Sequence, residues 1–315
     1  MIAGAMATVR EILEKINIDA SVAFDEPLSA RTTFRIGGPA DAWVEPRTEG
    51  ALAVLVAALR DALLPWVVLG GGANVLAADS GFRGVVVSTR ALASIEREGN
   101  VLRAGAGARV VDRVEAAVGA SLAGLEFAAG LPGSVGGAVY MNARCYDREF
   151  ADARATARRL DPDGEIRECG IERGEWAYKR TPFMPGGALE SSIVLGASFR
   201  LEPGDRNALE SRARELESDR RAKGHFDHPC AGSMFKNDRG FGRPTGKILD
   251  ELGFRGRRIG GAAVSEKHAN IFVNLGRASA ADMKALVDSA RAAALEAYGF
   301  ALEPEVVFLG DFAPD

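Results

Sequence analysis

The sequence predicts an α+β protein with more than one domain. Its 315 residues exceed the size at which one hydrophobic core usually keeps growing. Segments with helical apolar spacing alternate with short β-rich runs, and several of these runs stop at glycine-rich turns. We therefore expect two or three separate cores.

The N-terminal part is predicted to begin with a helix, because apolar residues recur at helical spacing between residues 9 and 16. Residues 32–36 form a predicted strand that ends at Gly37. The apolar run 66–69, which stops at three glycines, is a predicted buried strand. The remaining predicted elements of this part are a helix over 50–61, strands over 85–88 and 101–104, and a helix over 110–120.

Two helices are predicted in the C-terminal part. The charged segment 206–223 keeps one apolar face at helical spacing. Arg220 and Lys223 continue the line of this apolar face, so both are predicted to point inwards. The last helix should begin at the capping-box pair Ser279 and Asp282, and should end at Gly299.

Composition excludes several classes of protein. Lys and Arg total 39 against 43 Asp and Glu, and no long run of one sign offers a surface for nucleic acid. The three cysteines are widely spaced and lack a C-x-x-C pair, which predicts free thiols and no zinc or other metal site. The N-terminus lacks a secretory pattern, and no apolar run approaches about 18 residues, so we expect a cytoplasmic protein with no membrane partner.

Two glycine loops are the first candidates for a binding site. Residues 68–75 read VLGGGANV, and residues 126–138 read EFAAGLPGSVGGA. Missing Cβ atoms let backbone N–H groups approach a phosphate closely, although a tight turn alone explains most triple glycines. Neither loop is a G-x-G-x-x-G fingerprint, and residues 242–247 lack the spacing of a P-loop. Two such loops in one chain favour a dinucleotide held by a different fold.

Further motifs follow the same order as in one enzyme family. They are RTTFRIGGPA at 31–40, YMNA at 140–143, CAGSMFKN at 230–237, RIGGAAVSEKHAN at 258–270 and LEPEVVFLG at 302–310. Together with the glycine loops they resemble the UDP-N-acetylenolpyruvoylglucosamine reductases of bacterial peptidoglycan synthesis. The resemblance covers nearly the whole chain after about residue 25.

The resemblance implies a vanillyl-alcohol-oxidase-type FAD-binding domain of two subdomains, followed by a C-terminal α+β substrate-binding domain. We expect the subdomains at 1–90 and 91–204 and the substrate domain at 205–302. A C-terminal strand near 303–315 is a candidate to return to the first subdomain. The segment 183–206 is too short for the extra substrate-covering loop of one branch of the family.

The resemblance also implies non-covalent FAD, NADPH as co-substrate, and reduction of UDP-N-acetylglucosamine enolpyruvate to UDP-N-acetylmuramate by a monomer. Hydride would go from flavin N5 to C3 of the enolpyruvyl group, and a proton to C2. The residues expected to contact the cofactor are Gly70, Gly71, Gly72, Ala73, Asn74, Val75, Gly130, Pro132, Gly133, Ser134, Gly136, Gly137, Ala138, Asn142 and Arg220.

The family motifs place catalytic roles on Lys179, Ser233 and Glu305. Ser233 matches the proton donor, although a serine here could simply cap a turn. If Glu305 shares an apolar strand face with Val307 and Leu309, its pKa should be raised, which suits a group that binds the substrate carboxylate or donates a proton. The alternative is an edge-strand glutamate in solvent.

Lys179 stands where most relatives carry arginine, so a point charge replaces a planar fork. Either Lys179 or Arg180 could supply the cation. We favour Lys179, because in an extended segment its neighbour would face the opposite way. Val307 replaces an arginine that contacts the flavin in some relatives. The expected substrate contacts are Tyr178, Arg180, Lys223, Lys236, Asn237, Lys267 and His268.

Two rival functions remain open. An oxidase of the same fold would reoxidise rapidly with oxygen, although His225, His228 and His268 all lie outside the glycine loops, where a covalent flavin linkage would be expected. A non-catalytic nucleotide-binding module is disfavoured because Ser233 and Glu305 are both retained.

Overall fold

A computed structural model describes residues 2–312 of the chain. The α-helices are α1 (Ile2–Lys15), α2 (Glu49–Asp61), α3 (Val110–Gly119), α4 (Val135–Tyr140), α5 (Arg206–Ala222), α6 (Thr245–Glu251) and α7 (Ala280–Tyr298). Single-turn 3-10 helices span Leu28–Ala30, Glu126–Ala128, Phe150–Asp152 and Arg239–Phe241.

The strands occur throughout the chain between and beyond these helices. They are β1 (Ala20–Pro27), β2 (Pro39–Pro46), β3 (Trp66–Leu69), β4 (Val75–Ala77), β5 (Phe82–Ser88), β6 (Ile95–Glu98), β7 (Val101–Gly105), β8 (Leu122–Ala123), β9 (Arg144–Cys145), β10 (Arg148–Glu149), β11 (Ala155–Leu160), β12 (Ile166–Ile171), β13 (Ile193–Arg200), β14 (Glu202–Pro203), β15 (Cys230–Ser233), β16 (Arg258–Ile259), β17 (Ala262–Val264), β18 (Ile271–Asn274) and β19 (Val307–Leu309).

The chain forms two compact units, each built from several segments. The first unit comprises residues up to 24, 41–71 and 84–217. The second unit comprises residues 25–40, 72–83 and 218 onwards. The predicted domain ranges 1–90, 91–204 and 205–302 remain predictions.

The first unit contains two cores and two main sheets. A five-stranded antiparallel sheet has the order β12-β11-β13-β7-β6, and a four-stranded sheet has the order β1-β2-β5-β3. Phe127, Phe150 and Phe199 pack edge-to-face in one core. The other core packs the apolar face of α2, including Leu52 and Leu55, with residues of β2 and β5.

The second unit is built on the antiparallel sheet β15-β18-β17-β16. The buried face of α7, including Met283 and Leu286, packs with Phe272 of β18 in its core. A parallel pairing of β19 with β4 brings Val307 opposite Val75. The C-terminal strand therefore pairs with a segment that begins at Val75, the last residue of the first glycine loop.

Most predicted helix ends and strands are confirmed. Ser279 accepts a hydrogen bond from the Asp282 N–H at 2.9 Å, and Gly299 ends α7 with φ +74°. A left-handed residue suits glycine at this position because it has no Cβ. The predicted strands at β3, β5 and β7 and the predicted helices at α1, α2, α3 and α5 are present.

The strand predicted over residues 32–36 is wrong, because this segment is a turn and β2 begins only at Pro39. Arg35 has φ +55°, and its N–H donates to the Thr32 carbonyl at 3.2 Å. Phe34 and Ile36 are both buried in the core of the second unit. Their burial gives the alternating apolar pattern of a strand, although the backbone there is not extended. No α-helix within residues 2–312 is long and apolar enough to cross a membrane.

Candidate active site

The two glycine loops meet in the first unit. Gly70 and Gly71 directly follow β3, and the Gly71 N–H donates to the Ser134 Oγ at 3.2 Å. Ser134 is the N-cap of α4, and its Oγ also accepts from the Gly137 N–H at 3.4 Å. One hydroxyl therefore ties the first loop to the second, across 63 residues of sequence.

The close approach depends on missing Cβ atoms. A Cβ on Gly71 would lie 2.6 Å from the Gly133 Cα, and one on Gly70 would lie 2.2 Å from the Ser134 Oγ. A Cβ on Gly136 would lie 2.8 Å from the Ala106 Cβ. We call Gly70, Gly71, Gly133, Ser134 and Gly136 the glycine cradle. A backbone surface without side chains at this point suits a phosphate that must approach N–H groups closely.

Arg90 supports the first turn of the cradle. Its Nε donates to the Gly70 carbonyl at 3.2 Å and its Nη2 to the Gly71 carbonyl at 3.4 Å. The guanidinium also lies over the Trp43 ring, 5.4 Å from its centroid. Sequence reasoning missed Arg90, since a fixed backbone carbonyl 19 or 20 residues away leaves no local signal.

The rest of the first loop lies in the second unit. Gly72 has φ +68°, and a Cβ there would lie 2.2 Å from the Arg31 carbonyl oxygen. The Asn74 Nδ2 donates to the Glu305 carbonyl at 2.9 Å, and the Val307 N–H donates to the Asn74 carbonyl at 3.0 Å. Asn74 therefore holds the backbone that presents Glu305.

Ser233 and Glu305 belong to neighbouring backbone segments of the second unit. The Glu305 N–H donates to the carbonyl of Met234, the residue after Ser233, at 2.8 Å. The side chain of Asn270, 1% exposed, accepts from the Phe235 N–H at 3.0 Å and donates to the Phe235 carbonyl at 2.8 Å. Asn270 thus fixes the segment after Ser233, and sequence reasoning did not assign it a role.

The predicted alternation around Glu305 is wrong. The strand begins only at Val307, and Val307 is 46% exposed while Val306 and Leu309 are buried. Glu305 lies before the strand and is half-buried. Because the regular pleat starts after it, residue parity could not predict which way Glu305 faces.

Lys179 lies in a tight turn, so the premise that its segment is extended is wrong. Ala177 and Arg180 exchange backbone hydrogen bonds of 3.0 and 3.1 Å, which closes a loop with Tyr178 and Lys179 at its tip. Lys179 has φ +53° and is half-buried, whereas Arg180 is exposed. The preference for Lys179 over Arg180 as the cation of the site therefore rests on the partial burial of Lys179, and not on the alternation of side chains along a strand.

Two histidines form a cluster with cations in the second unit. The rings of His225 and His268 are 6.4 Å apart, and we call them, with Arg220 and Lys223, the histidine cluster. Burial, together with Arg220, His268 and Lys223, lowers the pKa of His225 to about 3. Burial, together with Arg255 and Lys223, also lowers the pKa of His268. Both imidazoles are therefore neutral at pH 7.

The prediction that Arg220 and Lys223 both point inwards is right for only one of them. Arg220 is 7% exposed and lies 5.9 Å from the Phe226 ring centroid. The Lys223 side chain is 51% exposed, and its Nζ lies 2.6 Å from the Asp219 Oδ2. Lys223 follows the last residue of α5, so the helical stripe no longer determines its direction.

The other predicted substrate contacts lie in loops of the second unit. Lys236 pairs with Glu303 at 2.5 Å, and Lys267 pairs with Asp227 at 2.8 Å. The Asn237 Oδ1 accepts from the Thr245 N–H at 2.9 Å, which fixes the residues before α6. All are accessible groups on exposed or half-buried residues.

Comparison with known proteins agrees with this division of the site. Residues 40–170 match a family model described as an FAD binding domain, and residues 224–309 match one described as the C-terminal domain of UDP-N-acetylenolpyruvoylglucosamine reductase. The first match contains all five residues of the glycine cradle, and the second contains Ser233, His225, His268 and Glu305. The chain is an FAD-dependent oxidoreductase, as predicted.

Individual relatives extend the match over most of the chain. The UDP-N-acetylenolpyruvoylglucosamine reductase of Treponema denticola is 39% identical over 307 residues, which cover 93% of this chain and 95% of the relative. The enzyme of Heliobacterium modesticaldum is 40% identical, and the aligned residues cover 91% of this chain and 90% of the relative. The crystal structure of the Thermus caldophilus enzyme is 30% identical and superposes with a TM-score of 0.77 over 93% of this chain and all of that one. This chain belongs to the UDP-N-acetylenolpyruvoylglucosamine reductase family, and the predicted fold class is confirmed.

Proposed function

We propose that this protein reduces UDP-N-acetylglucosamine enolpyruvate to UDP-N-acetylmuramate with electrons from NADPH, as a monomer in the cytoplasm. The observation that carries the proposal is the backbone contact that makes Ser233 and Glu305 neighbours in the second unit. The three free cysteines of the chain suit a reducing compartment, which supports the cytoplasm as its location. The glycine cradle fits a dinucleotide diphosphate, since its shape requires missing Cβ atoms.

FAD, when bound, supplies the hydride that is added to C3 of the enolpyruvyl group. The chain must then protonate C2 and stabilise negative charge that develops on the conjugated carboxylate. We assign the proton to the Ser233 hydroxyl and a hydrogen bond to the substrate carboxylate, which requires a protonated carboxyl group as the donor, to Glu305. Lys179 supplies a positive charge for the same carboxylate, and Arg180 is the alternative cation.

The remaining predicted contacts serve the uridine diphosphate. Lys223, Lys236, Asn237 and Lys267 offer donors that are accessible for a phosphate or a uracil. His268 contributes a neutral ring, because burial lowers its pKa. Tyr178 lies beside Lys179 at the tip of its turn and is assigned to the substrate as well.

Anaerobic half-reactions test the proposed function. The purified protein should be yellow, should be bleached by NADPH, and should regain its colour when UDP-N-acetylglucosamine enolpyruvate is added. NADH in place of NADPH measures the preference between the two donors. Colour that returns only with oxygen would identify an oxidase and reject the proposed acceptor.

Ser233→Ala tests the proton donor. NADPH should still reduce the flavin, whereas reoxidation by the enolpyruvyl substrate should be slower by about 10²- to 10⁴-fold, because the proton is needed only in that half-reaction. Ser80→Ala is the control, since Ser80 is an exposed serine of the same unit with a hydrogen bond to the Asp311 carbonyl. Equal slowing of both half-reactions in Ser233→Ala would contradict the assigned role.

A further inference from the structure

The turn that carries Lys179 is held in a conformation that lysine rarely adopts. Its φ of +53° lies in the left-handed region, which disfavours residues with a long side chain. Such a conformation persists only where surrounding contacts impose it, and it is more frequent at functional sites. The contacts of the flanking residues therefore decide where the Lys179 ammonium can reach.

Asn142 is bonded directly to the base of this turn. Its Nδ2 donates to the Ala177 carbonyl at 2.9 Å and to the Glu149 Oε2 at 2.5 Å. Its Oδ1 accepts from the Ala151 N–H at 3.0 Å. The Asn142 side chain is fully buried, and each of its polar atoms is used by another part of the first unit. Asn142 thus joins the turn to the neighbouring segment 149–151.

The backbone at Asn142 explains why an asparagine can stand there. Residue 142 follows the C-cap of α4 with φ +40°, its N–H donates to the Val139 carbonyl at 3.0 Å, and the Ala143 N–H donates to the Ala138 carbonyl at 2.8 Å. This is the Schellman ending of a helix, for which glycine is usual and asparagine is an occasional substitute. Glycine would satisfy the helix end equally well, so the carboxamide has a separate purpose.

A second contact ties the other side of the turn to the same helix. Thr181, which is 2% exposed, donates from its Oγ1 to the Tyr140 carbonyl at 2.8 Å. Tyr140 is the last residue of α4, and Ser134 of the glycine cradle is the N-cap of α4. The helix therefore connects the cradle at one end with both sides of the Lys179 turn at the other.

The expectation that Asn142 contacts the cofactor does not fit its burial, nor the use of its Nδ2 and Oδ1 by Glu149, Ala177 and Ala151. We infer that Asn142 is instead a positioning residue that sets the Lys179 turn relative to the glycine cradle through α4, and that it does not contact the cofactor. This inference rests on the proposed role of Lys179. It assigns the effect of Asn142 to the half-reaction in which the substrate carboxylate gains charge. Flavin binding and flavin reduction by NADPH do not depend on it.

Asn142→Gly separates positioning from helix capping, because glycine keeps the left-handed helix end and removes only the carboxamide. In the FAD-loaded protein, amide hydrogen exchange of the 177–181 turn should become faster, while exchange in α4 stays unchanged. Reoxidation by the enolpyruvyl substrate should slow by roughly 10- to 100-fold, because a displacement near 1 Å has that effect on an oriented group. Flavin reduction by NADPH should keep its rate.

A double-mutant cycle with Lys179→Ala identifies the group that Asn142 positions. If Asn142 acts through Lys179, Asn142→Gly should slow reoxidation in the wild-type background and have no further effect in the Lys179→Ala background. An Asn142→Gly effect that persists without Lys179, or that slows both half-reactions, would overturn the inference. Reoxidation that is unaffected by Lys179→Ala would instead reject the proposed role of Lys179.

Thr181→Val provides an independent variant if Asn142→Gly does not fold. It removes the hydroxyl that donates to the Tyr140 carbonyl and keeps the shape of the side chain. Faster exchange of the turn and slower reoxidation are expected again, and Thr181→Ser, which keeps the hydroxyl, should restore both. A Thr181→Val protein with wild-type exchange and wild-type reoxidation would contradict the claim that α4 positions the turn.

Discussion

The glycine cradle of the first unit and the histidine cluster of the second unit are built on opposite principles. The cradle depends on atoms that are missing, because a Cβ on Gly71 would lie 2.6 Å from the Gly133 Cα. The histidine cluster depends on burial and on charge, because burial, together with the neighbouring Arg220 and Lys223, lowers the pKa of His225. Substitutions in the cradle should therefore act through shape, whereas those in the cluster should act through charge and pH.

Gly71→Ala is the strongest test of the shape argument. The added methyl group must displace the backbone at Gly133 or the Ser134 N–H, which would lie 2.9 Å away. Overpacking of this kind costs about 1–3 kcal/mol, so FAD affinity should fall by roughly 10- to 100-fold at every pH, as measured by titration of the apoprotein with FAD. The purified variant should be pale or colourless.

Gly119→Ala is the matched control for this substitution. Gly119 is the last residue of α3, and a Cβ there would meet no atom within 4 Å. Alanine at a helical position should stabilise the protein by about 0.5–1 kcal/mol without changing FAD affinity. Wild-type FAD affinity in Gly71→Ala would mean that the cradle tolerates side chains.

The cradle could be predicted from sequence because glycine spacing is itself the signal. Three consecutive glycines after an apolar strand and four in the second loop indicate close backbone approach without any knowledge of the partner residue. Arg90 could not be found in this way, since it recognises the carbonyls of Gly70 and Gly71, groups that every residue carries. Only the fold brings such an arginine to them.

The conformation of Lys179 could not be predicted for a different reason. A positive φ is signalled in sequence by glycine or asparagine, and lysine gives no such signal. Asn142 did offer one, because an asparagine two residues after an apolar helical segment is a recognised C′ residue. What its carboxamide binds, the Ala177 carbonyl 35 residues later, was not encoded locally.

His225→Gln tests the charge argument for the histidine cluster. The folded protein keeps His225 neutral down to about pH 3, whereas the unfolded chain takes up a proton near pH 6.5. Stability contributed by this group is therefore fully present above pH 6.5 and is lost as the pH falls towards 3. At pH 5 the loss for wild type should be about 1–2 kcal/mol, measured as the difference in free energy of unfolding between pH 7 and pH 5.

In His225→Gln this difference should shrink but not vanish, because His268 has a lowered pKa for the same reason. The groups that act on the two rings are Arg220, Lys223, Asp219, Arg255 and Asp250. His228→Gln is the control, since it removes an exposed imidazole from the same loop. An undiminished loss of stability in His225→Gln would show that His225 does not contribute to the acid sensitivity.

Arg113 is a buried charged residue in the first unit, the unit whose glycine cradle depends on close packing. It therefore tests whether a buried charge affects stability in this unit as well. Its side chain is fully buried, with the guanidinium 4.0 Å from the Phe199 ring centroid and 4.7 Å from that of Phe150. None of its three nitrogens has a hydrogen-bond partner among the described residues, and burial lowers the pKa of Arg113 to about 9. Two ring faces compensate only part of the cost of burying a cation.

Arg113→Met should therefore stabilise the protein, by about 1 kcal/mol, because methionine keeps much of the packing between the two rings and removes the buried charge. The melting temperature should rise by roughly 2–4 °C, with FAD affinity unchanged. Arg113→Lys keeps the charge but loses the planar stacking on Phe199, so it should lower the melting temperature. A lower melting temperature in Arg113→Met as well would contradict this expectation. It would mean that the contacts of the guanidinium with the Phe150 and Phe199 rings stabilise the protein by more than the burial of its charge destabilises it.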